Sequence, residues 1–296
     1  MILLKPTDGR PRAFEEFMLH IRAMTLDDLD LAMLLKEQAG WNQTEADWRR
    51  FLEMEPTGCF VADWDGRLVG TTVTCIFGHV AWIAMVLVDP DFRARGIGKA
   101  LMSHALGFLD DSWVSTVRLD ATPLGEPLYK KLGFDVEYSL ARFEGTPQPA
   151  TPLHEKVDHI QPQDYALLFQ MDQLITGADR SKFLSRLFAE QSEQIRAIRS
   201  AETIAGFLAC RPGTRAWQIG PCLGRRGIGS VLLAEALSRF VGKLVYVDIP
   251  VQNNAAANLA ERSGLNVQRR LIRMRRGPPV TERTDHIWAS SGPELG

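Results

Sequence analysis

A glycine-containing turn between an apolar strand and a helix is the part of the sequence best suited to bind a ligand. Val80–Val88 is an uninterrupted apolar run, and Arg93 to Gly98 reads Arg-Ala-Arg-Gly-Ile-Gly. Pro90 ends the strand because it has no amide hydrogen to donate. The glycines allow a tight turn and let an anion approach the backbone. Because the turn leads into a helix N-terminus, its N–H groups, with Arg93 and Arg95, predict a phosphate site.

Two well-known phosphate-binding motifs do not fit this turn. A P-loop has its first glycine where Arg93 stands, and serine or threonine where Ala100 follows Lys99. The dinucleotide fingerprint fails because Leu101 stands at its third glycine. A glycine turn that caps a helix without a ligand is the simpler alternative. The preceding strand, Pro90 and Arg93 favour a binding site instead.

The elements that must position this turn alternate between helical and extended patterns, in the order β-α-α-β-β-β-α-β-α-β-β. Apolar residues at helical spacing predict the helices, and Thr25 and Thr44 are expected to cap two of them. Asp65-Gly66 predicts a hairpin turn. The predicted helices are 26–38, 44–53, one that follows Gly98, and 127–131, and the predicted strands are 59–64, 68–77, 80–88, 117–121 and 134–143.

Two motifs recur at one separation. Gly96-Ile-Gly98 reappears as Gly227-Ile-Gly229, 131 residues later (227 − 96), and Gly133-Phe134 reappears as Gly264-Leu265 at the same separation (264 − 133). Solenoid repeats have periods of about 20–50 residues, so this period indicates a duplicated domain.

The repeat predicts the domain organisation. We expect the α/β class, with two tandem domains that each have a central mixed β-sheet flanked by helices. The expected ranges are 15–145 and 157–296, with residues 1–14 as an arm. Three prolines within residues 145–152 predict a linker between the two domains.

Composition and charge limit the classes of function. The 296 residues carry 34 Lys and Arg against 36 Asp and Glu, a net charge of −2, which argues against a nucleic-acid partner. The longest apolar run is far below the roughly 20 residues of a membrane helix, and the start shows no signal-peptide pattern, so we expect no membrane partner and a cytoplasmic location. The four cysteines show no CxxC spacing, which favours buried thiols over disulfides or a metal site.

The turn also resembles the signature of a known family. Val88-x-Pro90-x-x-Arg93-x-x-Gly96-x-Gly98 is similar to the acetyl-CoA signature of the GNAT acetyltransferases. Leu128-Tyr-x-x-x-Gly-Phe134 resembles the later LYxxxGF segment of that family, and the resemblance covers about 15–145. The second half is similar to the C-terminal acetyltransferase module of tandem GNAT proteins of the YitH type, through residues 176–180 and the closing Gly-Pro-Glu-Leu-Gly.

The resemblance implies acetyl-CoA as cosubstrate, with an amine attacking the thioester directly. An N–H near Met85 to Leu87 would stabilise the oxyanion. Tyr129 would be the general acid that protonates the leaving thiolate, and the alternative is a half-buried tyrosine that packs on the sheet. The residues expected to contact the cofactor are Met85, Val86, Leu87 and Val88 on the strand and Arg93, Ala94, Arg95, Gly96, Ile97, Gly98 and Lys99 in the turn.

The general base and the acceptor site are less well defined. Asp120 could face the cleft, but a carboxylate satisfied by other groups is the favoured interpretation. A water relay to bulk solvent is another solution for the base. Trp41 and Asn42 lie where the family usually recognises its acceptor, and are expected to bind substrate. Packing of Trp41 on the sheet is the alternative. Thr122-Pro-Leu-Gly125 stands where many members carry an asparagine that hydrogen-bonds pantetheine.

The second half lacks two of these groups. At the repeat separation Gly224 replaces Arg93 and Ala260 replaces Tyr129, while Asn253 and Asn254 are gained at a strand end. A structural or substrate-binding role is expected for this half, with a second active transferase as the alternative. A solvent-facing surface is favoured, with an anion-lined groove as the alternative, for the arginines on its last predicted strand, at positions 269, 270, 273, 275 and 276.

The leading hypothesis is an acetyl-CoA-dependent N-acetyltransferase that acts on a primary amine of a small molecule. Transfer of another acyl or aminoacyl group on the same fold is the first alternative. A CoA-binding sensor without turnover is the second. The sequence predicts no oligomeric state.

Overall fold

The computed structural model describes residues 2–3, 18–149, 157–200 and 203–296. The chain divides into two compact units, Met1–Cys75 with Ile83–Val114 and Ile76–Trp82 with Ser115–Gly296. Most of the predicted arm, and the last residues of the predicted linker, lie outside the described residues. Within the described ranges, no helix has the length and apolar character needed to cross a lipid bilayer.

The first unit contains consecutive neighbouring strands in the order β1-β2-β3-β4-β5 and three helices. The last two residues of β4 and the first three of β5 belong to the second unit. The strands are β1 Ile2–Leu3, β2 Met18–Ala23, β3 Cys59–Trp64, β4 Arg67–Phe77 and β5 Val80–Val88, and the helices are α1 Leu29–Gln38, α2 Glu45–Met54 and α3 Ile97–Asp110.

Local sequence signals set the ends of these elements. The Thr25 N–H donates to the Asp28 carboxylate at 2.8 Å, in a 3-10 turn that precedes α1, and the Thr44 N–H donates to Asp47 at 2.7 Å before α2. The turn Asp65-Gly66 has φ values of 53° and 85°, as a two-residue hairpin with positive φ at both positions requires. The Thr44 hydroxyl also accepts from the Asp47 N–H at 3.3 Å, so the predicted cap at Thr44 and the hairpin are confirmed, whereas Thr25 precedes the 3-10 turn and α1 starts after Asp28.

The second unit contains the remaining elements around a mixed sheet. Its strands follow the order β5-β6-β13-β7-β12-β11-β10-β9-β8, and β14 pairs with β11. The strands are β6 Thr116–Ala121, β7 Asp135–Gly145, β8 Asp158–His159, β9 Arg196–Ser200, β10 Thr203–Arg211, β11 Trp217–Gly224, β12 Val245–Pro250, β13 Asn266–Arg276 and β14 Ile287–Ala289, and the helices are α4 Glu126–Lys131, α5 Tyr165–Thr176, α6 Ser181–Glu190, α7 Arg226–Arg239 and α8 Asn254–Arg262.

The two sequence repeats exchange their final strands within this sheet. β13, from the second repeat, lies antiparallel between β6 and β7, which both come from the first. β7 in turn pairs antiparallel with β12 of the second repeat. Neither repeat therefore completes this part of the sheet from its own sequence.

Two matching ion pairs connect the exchanged strands. Arg273 donates from Nε and one terminal nitrogen to the two oxygens of Asp120, at 2.8 and 2.9 Å. Arg142 donates in the same way to Asp248, at 2.8 and 2.7 Å. In both pairs the two residues are direct cross-strand partners, and all four side chains are buried. The two arginines are separated by the repeat distance (273 − 142 = 131) and the two aspartates by nearly the same number of residues (248 − 120 = 128), so the pairs occupy equivalent places in the two repeats.

The solvent-facing position expected for Arg273 is wrong. Its guanidinium also donates to the Tyr138 hydroxyl at 2.7 Å and lies 4.7 Å from the centre of the Trp82 ring. Burial works against its charge, but Asp120 and Tyr138 raise the pKa of Arg273 well above its ordinary value. A charged arginine is therefore kept inside by acceptors that other strands provide.

All four cysteines, at positions 59, 75, 210 and 222, are free and buried. This confirms the expected buried thiols.

Candidate active site

The turn between β5 and α3 is an exposed, positively charged loop. A 3-10 turn, Pro90–Phe92, follows the strand, and the Asp89 carboxylate accepts from the Asp91 N–H at 3.0 Å. Ala94 and Gly96 both have positive φ, 60° and 83°. This left-handed backbone turns the chain so that α3 starts immediately after the loop.

Three N–H donors at the start of α3 are available to a ligand. The first N–H of this helix with a backbone acceptor is that of Ala100, which donates to the Gly96 carbonyl at 3.0 Å. Among the described residues, Ile97, Gly98 and Lys99 have no acceptor for their N–H groups. A helix N-terminus with free N–H groups attracts an anion.

Two guanidinium groups flank these donors. Arg93 Nε donates to the Val88 carbonyl at 3.2 Å, and Arg95 donates to the Asp91 carbonyl at 3.2 Å while lying 5.0 Å from the centre of the Phe92 ring. No carboxylate within the described part of the chain forms a salt bridge with either arginine. The loop therefore combines uncompensated positive charge with free N–H groups, which suits a pyrophosphate.

The strand before the loop is distorted at Met85. This residue has a φ of 52°, and its carbonyl accepts from the Thr71 hydroxyl at 2.8 Å. β4 approaches β5 so closely that a Cβ on Gly70 would lie 2.9 Å from the Leu87 carbonyl oxygen. The parallel pairing of β5 with β6 is formed by Val80–Trp82. Met85 and Leu87 are buried, whereas Val86 and Val88 are partly exposed.

Tyr129 lies on α4, in the second unit, whereas the loop belongs to the first. It is half-buried, with its ring 6.1 Å from that of Phe134, and no described residue hydrogen-bonds its hydroxyl. A Cβ on Gly125 would lie 2.8 Å from the ring, so this glycine makes room for it. Burial raises the pKa of Tyr129 to about 12, which keeps the phenol protonated at neutral pH.

The expected acceptor residues follow α1 in the first unit. Trp41 is half-buried, and its N–H donates to the Lys36 carbonyl at 3.1 Å. Asn42 is buried. Trp48, one turn into α2, is completely buried, with its ring edge-on to Phe51. Their contribution to substrate binding stays a prediction.

The comparisons with known proteins agree with this architecture. Residues 28–134 match the model of the acetyltransferase (GNAT) family, and residues 168–289 match that of a further acetyltransferase (GNAT) domain. The chain carries two GNAT acetyltransferase domains. Together these matches cover most of the chain, which therefore belongs to the GNAT acetyltransferases, with two such domains in tandem.

Several relatives and solved structures are similar to this GNAT protein over more than half of its length. Holothin acyltransferase of Pseudoalteromonas sp. is 25% identical over 86% of this chain and 87% of its own length. The uncharacterised N-acetyltransferase YitH of Bacillus subtilis is 26% identical over 57% of this chain, which spans 60% of that relative. The crystal structure of an acetyltransferase candidate from Pyrococcus horikoshii covers 98% of this chain and 99% of its own with a TM-score of 0.80 at 23% identity. A tandem GNAT protein from the clavulanic acid biosynthesis pathway covers 88% of this chain and 100% of its own, with a TM-score of 0.62 at 17% identity.

In the corresponding loop of the second GNAT domain, two of the matching N–H groups have an acceptor within the chain, because α7 starts earlier, at Arg226. Ile228 and Gly229, which match Ile97 and Gly98, both donate their N–H groups to the Arg225 carbonyl at 2.9 Å. The two loops share their glycines but differ in what their backbone can offer an anion.

Asp120 is confirmed as a carboxylate satisfied by its neighbours, because Arg273 occupies both of its oxygens. Arg142 and Asp248, which form the equivalent pair, were not predicted from the sequence. The repeat distance between the two arginines was the available signal. No group of three or more metal-ligating side chains occurs in the described parts of the GNAT protein.

Proposed function

We propose that the protein transfers an acetyl group from acetyl-CoA to a primary amine of a small molecule, with the first GNAT domain as the active one. The observation that carries the proposal is the set of free N–H groups at Ile97, Gly98 and Lys99 beside Arg93 and Arg95, which form no salt bridge with a described carboxylate. We further propose that the two domains span residues 15–145 and 157–296. The family matches at 28–134 and 168–289 support these ranges.

The chain's own groups have separate tasks in this scheme. The loop from Arg93 to Lys99 holds the pyrophosphate by charge and by backbone N–H groups. The backbone of Met85–Val88 pairs with the pantetheine amides, and an N–H in this segment stabilises the oxyanion. Tyr129 is protonated at neutral pH and donates a proton to the leaving thiolate. In this scheme the attacking amine loses its proton through water to bulk solvent, and the phenolate of Tyr129 regains a proton from solvent, so the protons balance over one turnover.

A comparison of two acyl donors tests the loop assignment. Acetyl-pantetheine carries the thioester but no phosphate, so an Arg93→Gln variant should lose affinity for acetyl-CoA and keep its kcat/KM for acetyl-pantetheine. Loss of one charge-assisted hydrogen bond costs about 1.5–3 kcal/mol, or roughly 10–150-fold in affinity. Arg49→Gln, on the exposed face of α2, is the control. Equal losses with both donors would contradict the assignment.

Transfer of another acyl group is the second candidate, favoured by the name of the relative holothin acyltransferase. Release of CoA from acetyl-, propionyl- and longer acyl-CoA, measured with a panel of primary amines, separates the two. A preference for a longer acyl group would favour the second candidate. Binding of acetyl-CoA without any amine-dependent release would indicate a sensor instead.

A further inference from the structure

The second GNAT domain contains an internal strand where its two central strands separate. β11 pairs in parallel with β12 from Trp217 to Ile219. Beyond that point β14 pairs antiparallel with β11, with Cys222 opposite Ala289. β14 also continues into a contact with β12, because the Ser290 N–H donates to the Asp248 carbonyl at 2.8 Å. Residues 287–290 therefore bridge the two strands.

This position corresponds to the proposed pantetheine site of the first domain. There, β5 pairs in parallel with β6 over three residues, and the segment expected to bind pantetheine follows directly. In the second domain, β14 makes the backbone hydrogen bonds that pantetheine amides would make. Asn253, which follows β12 and caps α8, donates its side-chain amide to the Ile287 carbonyl at 2.9 Å. This asparagine therefore helps to hold β14 between the two strands.

The indole of Trp288 covers the glycine loop of the second domain. Its Nε1 donates to the Gly224 carbonyl at 3.1 Å, and the side chain is 1% exposed. A Cβ on Gly229 would lie 2.0 Å from the indole ring. The ring therefore rests against the first turn of α7, which matches the pyrophosphate-binding turn of α3 in the first domain.

The residues after β14 are anchored by buried charges. Arg180 donates to the Ser291 hydroxyl at 2.9 Å and to the Leu295 carbonyl at 3.1 Å, and it forms a salt bridge with Asp172. Glu294 forms a buried salt bridge with Arg211. The two segments singled out in the second half, 176–180 and 292–296, thus contact each other. This anchoring makes release of β14 costly, since buried charges would lose their partners.

We infer that residues 287–290 are a permanent internal ligand of the second acyl-CoA cleft: the β14 backbone takes the place of pantetheine and Trp288 covers the phosphate-binding turn. The inference rests on the proposed CoA site of the first domain for its comparison. It assigns the second domain a cleft that binds the chain itself and excludes CoA.

Hydrogen exchange of the full chain tests the inference directly. The N–H of Ser290 should exchange as slowly as that of Ile219 in the neighbouring strand, within about tenfold, and saturating CoA should leave this unchanged. In Trp288→Ala, exchange at Ser290 should accelerate at least tenfold, whereas the exposed control Trp113→Ala should not change it. Rapid exchange at Ser290 in the wild type, or acceleration on adding CoA, would overturn the inference.

Native mass spectrometry distinguishes this inference from the proposed function. We expect one CoA on each wild-type chain and none on Gly98→Val. Two CoA molecules on the wild type, or one remaining on Gly98→Val, would overturn the internal-ligand inference. No CoA on the wild type would overturn the proposed function, and the exchange of Ser290 would still decide whether β14 stays in the cleft.

Discussion

The ion pair between Arg273 and Asp120 should be essential for stability, and Asp120→Asn is the direct test. Asparagine keeps the shape but removes the charge, and one of its two terminal positions becomes an NH2 group that faces the guanidinium. Asp120 accepts two charge-assisted hydrogen bonds at 2.8 and 2.9 Å, and its side chain is completely buried. Removing one partner of a buried pair costs about 3–5 kcal/mol. Arg273 retains Tyr138 and a Glu282 oxygen at 3.3 Å, so we expect the lower end, about 3 kcal/mol.

Urea unfolding at pH 7 measures this loss. Glu45→Gln is the matched control. Glu45 forms a short salt bridge with Arg49, at 2.6 Å, but both side chains are about half exposed, so this pair differs from the Arg273–Asp120 pair mainly in burial. That variant should change the free energy of unfolding by no more than about 0.5 kcal/mol. Asp248→Asn, in the equivalent pair with Arg142, should behave like Asp120→Asn. If Asp120→Asn costs no more than the control, the exchanged strands are not held by these pairs.

The remaining predictions concern the two loops, the proposed acid and alkaline stability. Gly98→Val should abolish CoA binding in calorimetry, because losing two charge-assisted hydrogen bonds costs about 3–6 kcal/mol. Gly229→Ala should leave CoA affinity unchanged but lower the free energy of unfolding by about 1–3 kcal/mol, because its Cβ would collide with Trp288. Equal losses of CoA affinity in the two variants would contradict this. Tyr129→Phe should reduce kcat by roughly 10²–10⁴ at near-normal CoA affinity, and unchanged turnover would exclude Tyr129 as the acid. Burial raises the pKa of the Cys210 thiol from 9.0 to about 12. The folded state therefore favours the neutral thiol, and the stability that this contributes is complete below pH 9 and is lost as the pH rises toward about 12. The wild type should therefore lose about 1.4 kcal/mol more than Cys210→Ala between pH 7 and pH 10, and equal losses would refute this.

Features that depend on neighbouring residues could be predicted from the sequence alone. Thr44 caps a helix because its partner Asp47 is three residues away, and Asp65-Gly66 forms a hairpin because the backbone preferences of two residues suffice. The loop from Arg93 to Lys99 belongs to the same class, since strand, turn and helix are consecutive. Its free N–H groups follow from the position of the helix start. The fold class and the strand–turn–helix structure of this loop could therefore be predicted from the sequence, and its role in binding stays a prediction.

The features that the sequence did not reveal depend on residues far apart in the chain. Arg273 is buried because Asp120, 153 residues earlier, lies opposite it on an exchanged strand. No periodicity of β13 alone distinguishes this arginine from its solvent-facing neighbours. The two glycine loops read alike, yet only the tertiary structure places Trp288 on one of them. Helices and turns are determined by local backbone preferences, whereas strand order and the filling of a cleft are decided by which distant surfaces bury each other.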